Sequence, residues 1–570
     1  MSTAYSAPAP GCYRRVRGVR VLPEQEGGLA ICNYPLRAVR LPTDAARLLA
    51  SCDRERTGAE LAHYTRLPVK RVETLCEQLC RKGLLEAGPA LPPQTWPCVS
   101  ILIPSRNRAA QLERCLRSLL ALDYPAPALE IIVVDDASTD ETGAMLQRFI
   151  EETARHGWTI QVIRHPSQKG VGVGRNTAAQ AASHELLAYI DSDCVASPGW
   201  LKELVPAFQD ARTGAVGGML RACDRTSMLG RYEDVRSSLF MGARPQEVQM
   251  DGPLTYVPAA SLLVRRAAWR QIGGFAPLNF GEDVDFCLRL LAANYRVRYL
   301  PWGTVYHDYR TNLRDFLHTR ISYASSEAVL LQLHPQERRV LILPPEQTTF
   351  AALTIGGLWG ILEAKGLLIS CKDRRRGDDG ASGEHSVITN VGLPCRDRAT
   401  LLASVDNQEA DQSTARTINR RLRSSFISII LALILTLIGA LRRWRQARGQ
   451  RVPVGLLAVA RATLRGHLAY IYHLCRHLTR YYTLPILLAG PLLPPLLPLA
   501  LIPCAIVIGV DYLRLRPEMG FGEYALCSLL DDCAYGVGVL RGCIKQRTWK
   551  PLLPVIRREY RPARIRGREY

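Results

Sequence analysis

The sequence predicts an α/β protein in three parts: a doubly wound sheet in the middle, a small winged helix-turn-helix before it and a helical region after it. Three observations carry this reading. Residues 97–335 alternate short apolar runs with helical segments. Residues 12–90 place brief strand-like runs ahead of two helices. The last third holds long apolar stretches. With 570 residues, 47% of them hydrophobic, several units can each bury a core.

In the front unit, residues 16–22, 29–33 and 38–41 read as strands. Thr57, with Glu60 three positions on, forms a capping box for a helix from Gly58. After a turn at Leu67-Pro68, Val72, Leu75, Cys76 and Leu79 keep helical spacing. Gly83 stops that helix, and the proline-rich stretch 90–97 is a linker. In the middle unit, residues 99–103, 130–134, 159–164 and 186–190 read as strands. Residues 112–120, 143–152 and 176–182 read as the helices between them.

The last third divides into an apolar helical segment, 346–371, and a polar insertion, 372–424, expected to be disordered. A membrane-associated helical region, 425–512, follows, then an amphipathic helix with a basic tail, 513–570. Residues 426–441 carry no charge, and neither do residues 483–510, which are interrupted by prolines. Each is a candidate span, with a buried or re-entrant helix as the alternative. Arginines flank 426–441 on both sides, so the charge gives no orientation.

Net charge is +21, which suits an anionic membrane surface, an anionic substrate or nucleic acid. The second helix of the front unit carries Glu73 and Glu77 among its basic residues, so nucleic acid is not expected. The 17 cysteines are scattered; Cys76 and Cys80 lack a second pair at metal-site spacing, so no zinc site is expected. Reduced thiols in a cytosolic compartment are expected. Residues 1–18 lack a long apolar core, so no secretory signal is expected.

The chemistry sits where the strands of the middle unit end. The strand at 99–103 runs into Pro104-Ser105-Arg106, and ligands of open α/β sheets bind at the carboxyl ends of strands. The next strand delivers Asp135-Asp136-Ala137-Ser138-Thr139-Asp140. Asp135 or Asp136 can accept hydrogen bonds from a nucleobase and a ribose, while Asp140 caps the following helix. In Lys169-Gly170-Val171-Gly172-Val173-Gly174-Arg175, backbone amides can approach an anion and Arg175 adds charge. The fourth strand ends in Asp191-Ser192-Asp193, two carboxylates on one side of an extended backbone, a donor set for Mg2+ or Mn2+. Gly281-Glu282-Asp283-Val284-Asp285 opens a helix, whose dipole is expected to keep Glu282 and Asp283 ionised. A carboxylate there can deprotonate an acceptor hydroxyl. His307, after a short strand, can complete a metal shell.

Taken in order over residues 97–307, these motifs resemble the family 2 glycosyltransferases: PSRN, DDASTD, KGVGVGRN, DSD, GGF at 273–275 and GEDVDFCLRL. The resemblance implies a GT-A fold, a Rossmann-like sheet that binds a nucleotide-sugar. It implies nucleoside contacts from Pro104, Ser105, Arg106, Asp135 and Asp136, with Asp191 near the ribose. It also implies Asp193 and His307 on a divalent metal and Asp283 as the base. A Gln-x-x-Arg-Trp motif, carried by processive members, is absent from the sequence. Residues 231–239, 256–260 and 531–536 narrow the likeness to the mycofactocin-system glycosyltransferases. That likeness implies transfer of glucose from UDP-glucose to a peptide-derived redox cofactor, at the bacterial cytoplasmic membrane with the catalytic domain in the cytoplasm. The front unit is similar to the peptide chaperone of the pyrroloquinoline quinone pathway, which implies a peptide or pathway protein as its partner. The alternative acceptor is a glycan, in a cell-envelope or exopolysaccharide transferase.

Overall fold

The computed structural model describes residues 8–33, 35–154, 158, 160–250, 254–336, 339–380, 396–493 and 496–559. The front unit begins with β1 (Cys12–Arg15), β2 (Val19–Glu24), β3 (Gly27–Asn33) and β4 (Leu36–Leu41). Strands β2, β3 and β4 form an antiparallel meander. Helix α1 (Thr43–Ser51), which hydrophobic spacing alone did not indicate, packs Leu48 and Leu49 into the core. Strand β5 (Arg56–Thr57) leads to α2 (Gly58–Thr65), whose Thr57–Glu60 capping box forms as the sequence predicts. Helix α3 (Val69–Arg81) buries Val72, Leu75, Cys76 and Leu79. The chain then adds β6 (Leu85–Ala87) beside β1.

Helix α3 does not stand free. Its Glu77 pairs with Arg296 and lies 3.3 Å from Arg212, both in the middle unit. On another side, Leu29 and Ile31 of β3 pack on Val452, and Arg40 donates to the Gln450 carbonyl at 2.7 Å.

The middle unit is built on an eight-stranded sheet. It uses β7 (Val99–Ser105), β8 (Leu129–Asp135), β9 (Ile160–Arg164), β10 (Leu186–Ile190), β12 (Thr213–Gly217), β14 (Gln246–Glu247), β15 (Ser261–Arg265) and β16 (Arg296–Tyr299). Their order is β14-β16-β12-β15-β10-β7-β8-β9. Strands β10, β7, β8 and β9 pair in parallel with one another, and β15 runs antiparallel between β10 and β12. Alternate residues feed two cores. Ile101, Ile103, Ile131 and Val133 pack with α4 (Ala109–Leu120) and α5 (Thr142–Ala154) on one face. Leu102, Ile132, Val134 and Tyr189 pack on the other face with α6 (Val171–Ala181), α9 (Arg266–Ile272) and α10 (Glu282–Ala292). Beside the sheet, β11 (Cys194–Ala196), β13 (Leu220–Ala222) and β17 (Val305–His307) form a small second sheet. Helices α7 (Trp200–Leu204) and α8 (Met228–Arg236) lie between these strands in sequence.

Helix α11 (Leu313–Leu333) leaves the middle unit and enters the helical region. That region holds α12 (Pro345–Gly380), α13 (Arg396–Gly449), α14 (Leu456–Ala489), α15 (Leu497–Leu515) and α16 (Phe521–Lys545). Strands β18 (Val340–Ile342) and β19 (Val555–Arg557) pair in parallel across it. Gly538 and Gly542, one turn apart on α16, abut the backbone of Ile321 and Ser325 on α11; a Cβ at either would collide there. Small residues thus bring α16 against α11.

Two expectations change. Residues 372–424 are helical wherever described, over 372–380 at the end of α12 and 396–424 at the start of α13. No glycine or proline interrupts 396–438, and helical order propagates from the apolar half of α13. Residues 381–395 lie outside the described residues, as do 560–570 of the basic tail. The run 483–510 is not one helix: α14 ends at Ala489 and α15 starts at Leu497, across Pro491. Among the described residues, one helical stretch, Ser413–Gly449, is long and apolar enough to cross a membrane.

Candidate active site

A cavity of about 820 Å³ opens at the carboxyl ends of β7, β8 and β10. Pro104, Ser105, Arg106, Asp136, Arg175, Asp191, Asp193, Glu282, Asp283 and His307 all line it, so residues spread over two hundred positions converge. Asp135 does not. It is fully buried, accepts from Arg164 at 2.9 Å and from the Ser138 amide at 2.9 Å, and so braces the loop behind the cavity. Asn107 ties the first loop to this one, donating its amide to Ser138 Oγ and accepting from the Thr139 amide. Asp140 caps α5 through the Thr142 amide at 3.0 Å.

Asp136 faces the cavity and holds its wall. One oxygen meets His165 Nδ1 at 2.7 Å and accepts from the Lys169 amide; the other accepts from the Gly170 amide at 2.9 Å. Burial opposes its ionisation, but His165 and the two amides hold its carboxyl below the usual range. His165 also meets Thr177 Oγ1 on α6. Its position one residue past β9, at the same sheet edge, was a signal available in the sequence.

The glycine run departs from expectation. Helix α6 already begins at Val171, so Gly172 and Gly174 lie within it. A Cβ at Gly172 would come 2.6 Å from the Ala276 carbonyl, and one at Gly174 would come 3.2 Å from Pro104. These glycines permit close helix packing rather than cradling an anion. Arg175 is likewise committed elsewhere. It is 3% exposed, with Nη1 2.6 Å from Glu282 and Nη2 2.7 Å from Asp191. One turn into α6, its guanidinium faces two carboxylates, which neutralise it. Burial works against the Asp191 carboxyl, and Arg175 overrides it and holds Asp191 ionised.

Of the three acidic residues on the first turn of α10, two are tied. Glu282 is held by Arg175. Asp285 turns away to Arg289 at 2.6 Å and to His334 at 2.8 Å. Asp283 also lines the cavity and has no ion pair among the described residues; the Val284 amide donates to it. Its ionisation also corrects an expectation. The helix dipole does not win: burial first, then the charge of Glu282, pushes the Asp283 carboxyl up to about 7. A base of that pKa balances ionisation against basicity near neutrality.

Asp193 and His307 meet across the paired strands β11 and β17. Asp193 Oδ1 lies 3.7 Å from His307 Nε2, and Asp193 Oδ2 lies 2.6 Å from Arg108. Asp193 Oδ1 and His307 Nδ1 are buried, and neither has a hydrogen-bond partner among the described residues. The unpartnered Asp193 Oδ1, facing His307 Nε2 at 3.7 Å beside the cavity, fits a divalent cation held between the two. Cys194 completes the cluster, but burial drives its thiol far up, so it stays protonated and offers a poor ligand. Carboxylate and imidazole remain, a set suited to Mg2+ or Mn2+.

The wall opposite the strand ends comes from elements that the sequence did not connect. Arg320 of α11 is buried, 2.8 Å from Glu233 on α8 and 2.9 Å from Asp531 on α16. Tyr232 donates to the same Asp531 at 2.9 Å. The segments at 231–239 and 531–536, far apart in sequence, therefore meet on one arginine. No local pattern marks Arg320, since it lies mid-helix.

Residues 100–272 match the family described as Glycosyl transferase family 2. The chain is 29% identical over 560 residues to "Pre-mycofactocin glycosyltransferase" of Mycobacterium tuberculosis, covering 95% of this chain and 97% of that one. It is 32% identical over 206 residues to "Glycosyltransferase AglE" of Haloferax volcanii, covering 36% of this chain and 65% of that one. Among solved structures, the mannosyltransferase PcManGT of Pyrobaculum calidifontis, in complex with GDP-Man and Mn2+, is 20% identical. It covers 60% of this chain and 89% of that one with a TM-score of 0.35, too low to add to the fold described above. With the sheet, the converging carboxylates and the family match in agreement, residues 100–272 form a family 2 glycosyltransferase domain, and the chain is similar to pre-mycofactocin glycosyltransferase over nearly its whole length.

Proposed function

We propose that this enzyme is a metal-dependent, inverting hexosyltransferase that moves glucose from UDP-glucose to a hydroxyl of the peptide-derived redox cofactor mycofactocin. One observation carries the chemistry: Asp283 is the single acidic side chain on its helix turn left free, in the same cavity as the orphaned pair Asp193 and His307. The near full-length likeness to a pre-mycofactocin glycosyltransferase supports the acceptor.

Asp136, with Pro104 to Arg106, holds the nucleoside end. Asp193 and His307 hold Mg2+ or Mn2+, which offsets charge on the leaving diphosphate when bound. Asp283 accepts the proton of the acceptor hydroxyl. The hydroxyl oxygen then bonds to the anomeric carbon as the carbon–oxygen bond to the diphosphate breaks, its electron pair leaving with UDP. Glu282 is held by Arg175 and Asp285 by Arg289 and His334, so neither is available as a covalent nucleophile. A single displacement inverts the anomeric centre.

The test is transfer itself. Full-length enzyme with UDP-glucose, Mn2+ and pre-mycofactocin is expected to yield acceptor one hexose heavier, β-linked by NMR. Unchanged acceptor together with a glucose polymer would favour the envelope reading.

The enzyme works at the cytoplasmic membrane in this reading. On α13, Phe426, Ile427, Ile430, Leu431, Leu433, Ile434, Leu437 and Ile438 are 41–59% exposed, an apolar face that water does not favour and lipid does. The protein is expected to stay in the membrane pellet through an alkaline carbonate wash. Release by salt alone would leave charge, not insertion, as the anchor.

A further inference from the structure

The helical region also lines the cavity, through Glu327 of α11, Arg480 of α14 and Tyr535 of α16. All three lie beyond the family match at 100–272. We infer that Arg480 is a specificity-determining residue, which takes a carboxylate or carbonyl oxygen of the acceptor while Asp283 addresses the acceptor hydroxyl. The inference rests on the transferase reading above.

The two buried cavity arginines are spoken for. Arg175 is clamped by Asp191 and Glu282, and Arg320 by Glu233 and Asp531. Arg108 pairs with Asp193 at the metal end. No ion pair within 4 Å holds Arg480 among the described residues. Its guanidinium carbon instead sits 3.6 Å from the centre of the Tyr535 ring. Tyr535 also shares a side-chain hydrogen bond with Arg480; a guanidinium carries five N–H donors, so stacking and one such bond leave donors for a ligand. Glu327 lies close, but its Oε1 accepts from Tyr535 and, at 2.9 Å, from Tyr481. It anchors the two phenols and supplies negative charge nearby without occupying the fork.

The placement suits a small acceptor. Tyr256, fixed by its bond to the Ser238 carbonyl at 2.8 Å, lies in the field of both Asp283 and Arg480, the first raising and the second lowering its pKa. Tyr256, Asp283 and Arg480 line the same cavity. Phe280, Tyr323 and Tyr256 supply apolar wall between the polar ends. A planar oxygen acceptor pairs with a guanidinium edge through two parallel N–H bonds, which a hydroxyl cannot match.

The experiment uses full-length enzyme in detergent micelles loaded with UDP and Mn2+. Benzoate is the probe and benzyl alcohol its neutral control, with binding read by saturation-transfer NMR. Benzoate is expected to bind the wild type better than benzyl alcohol, and Arg480→Gln to weaken benzoate by about 10–100-fold, the worth of a lost charged hydrogen bond. Arg480→Lys keeps charge without the fork and is expected to fall between. UDP binding in the presence of Mn2+ checks that each variant folds. In transfer assays, Arg480→Gln is expected to raise KM for pre-mycofactocin by a similar factor. Equal benzoate binding by wild type and both variants, or none by wild type, would overturn the inference. If benzoate behaves as expected but wild type never glycosylates pre-mycofactocin, the named acceptor falls and the arginine subsite stands.

Discussion

Asp283→Asn is expected to lower turnover by about 10²–10⁴-fold, the usual contribution of a general base. The amide keeps the size of the carboxylate and can still accept from the Val284 amide, so donor and metal affinity should hold. The pH profile gives the decisive sign. Burial and Glu282 raise the Asp283 carboxyl to about 7, so it carries its proton below that pH and cannot take another. Wild-type kcat should therefore fall as pH drops through about 7, and the residual rate of the variant should lack that limb. Glu282→Gln should be milder, because Glu282 acts through Arg175. Near-normal transfer by Asp283→Asn with loss in Glu282→Gln would move the base to Glu282.

Asp193→Ala removes an oxygen from the proposed metal shell. Turnover is expected to fall by about 10²–10³-fold or more, on the scale of losing one preorganised charge stabiliser. The sharper readout is thermodynamic. In wild type, Mn2+ should tighten UDP binding measured by calorimetry; in the variant, that response should vanish. Arg108 loses its partner in the same variant, so Arg108→Gln serves as the control for the ion pair alone. Full activity of Asp193→Ala in excess chelator would remove the metal from the mechanism.

How far the sequence carried these conclusions depends on the range of each interaction. Strand ends and their acidic loops were legible because a buried strand and the polar turn after it are contiguous: Asp136, Asp191 and Asp193 follow their strands directly. The Thr57–Glu60 cap was legible for the same reason. Pairings across the fold were not. That Arg175 turns to Glu282, over a hundred positions away, instead of to a ligand depends on where α10 packs. The glycines of 170–174 invite an anion-loop reading, and only the neighbouring Ala276 carbonyl and Pro104 reveal their packing role. The direction of the Asp283 shift was misjudged because a helix start is legible from sequence, whereas burial and a neighbouring charge are not.

The Arg320 node bears on how this enzyme can be divided and recombined. Ending the chain near residue 335 would keep Arg320 and Glu233 but remove Asp531. Breaking a buried charge cluster by removing one partner costs about 3–5 kcal/mol, a large part of the stability of an ordinary domain. Residues 100–272 are therefore no minimal catalyst in this chain, and an excised middle unit should be unstable or misfolded at its acceptor wall. Chimeras that exchange the last helix between relatives have the same constraint: Glu233, Arg320 and Asp531 must be inherited together.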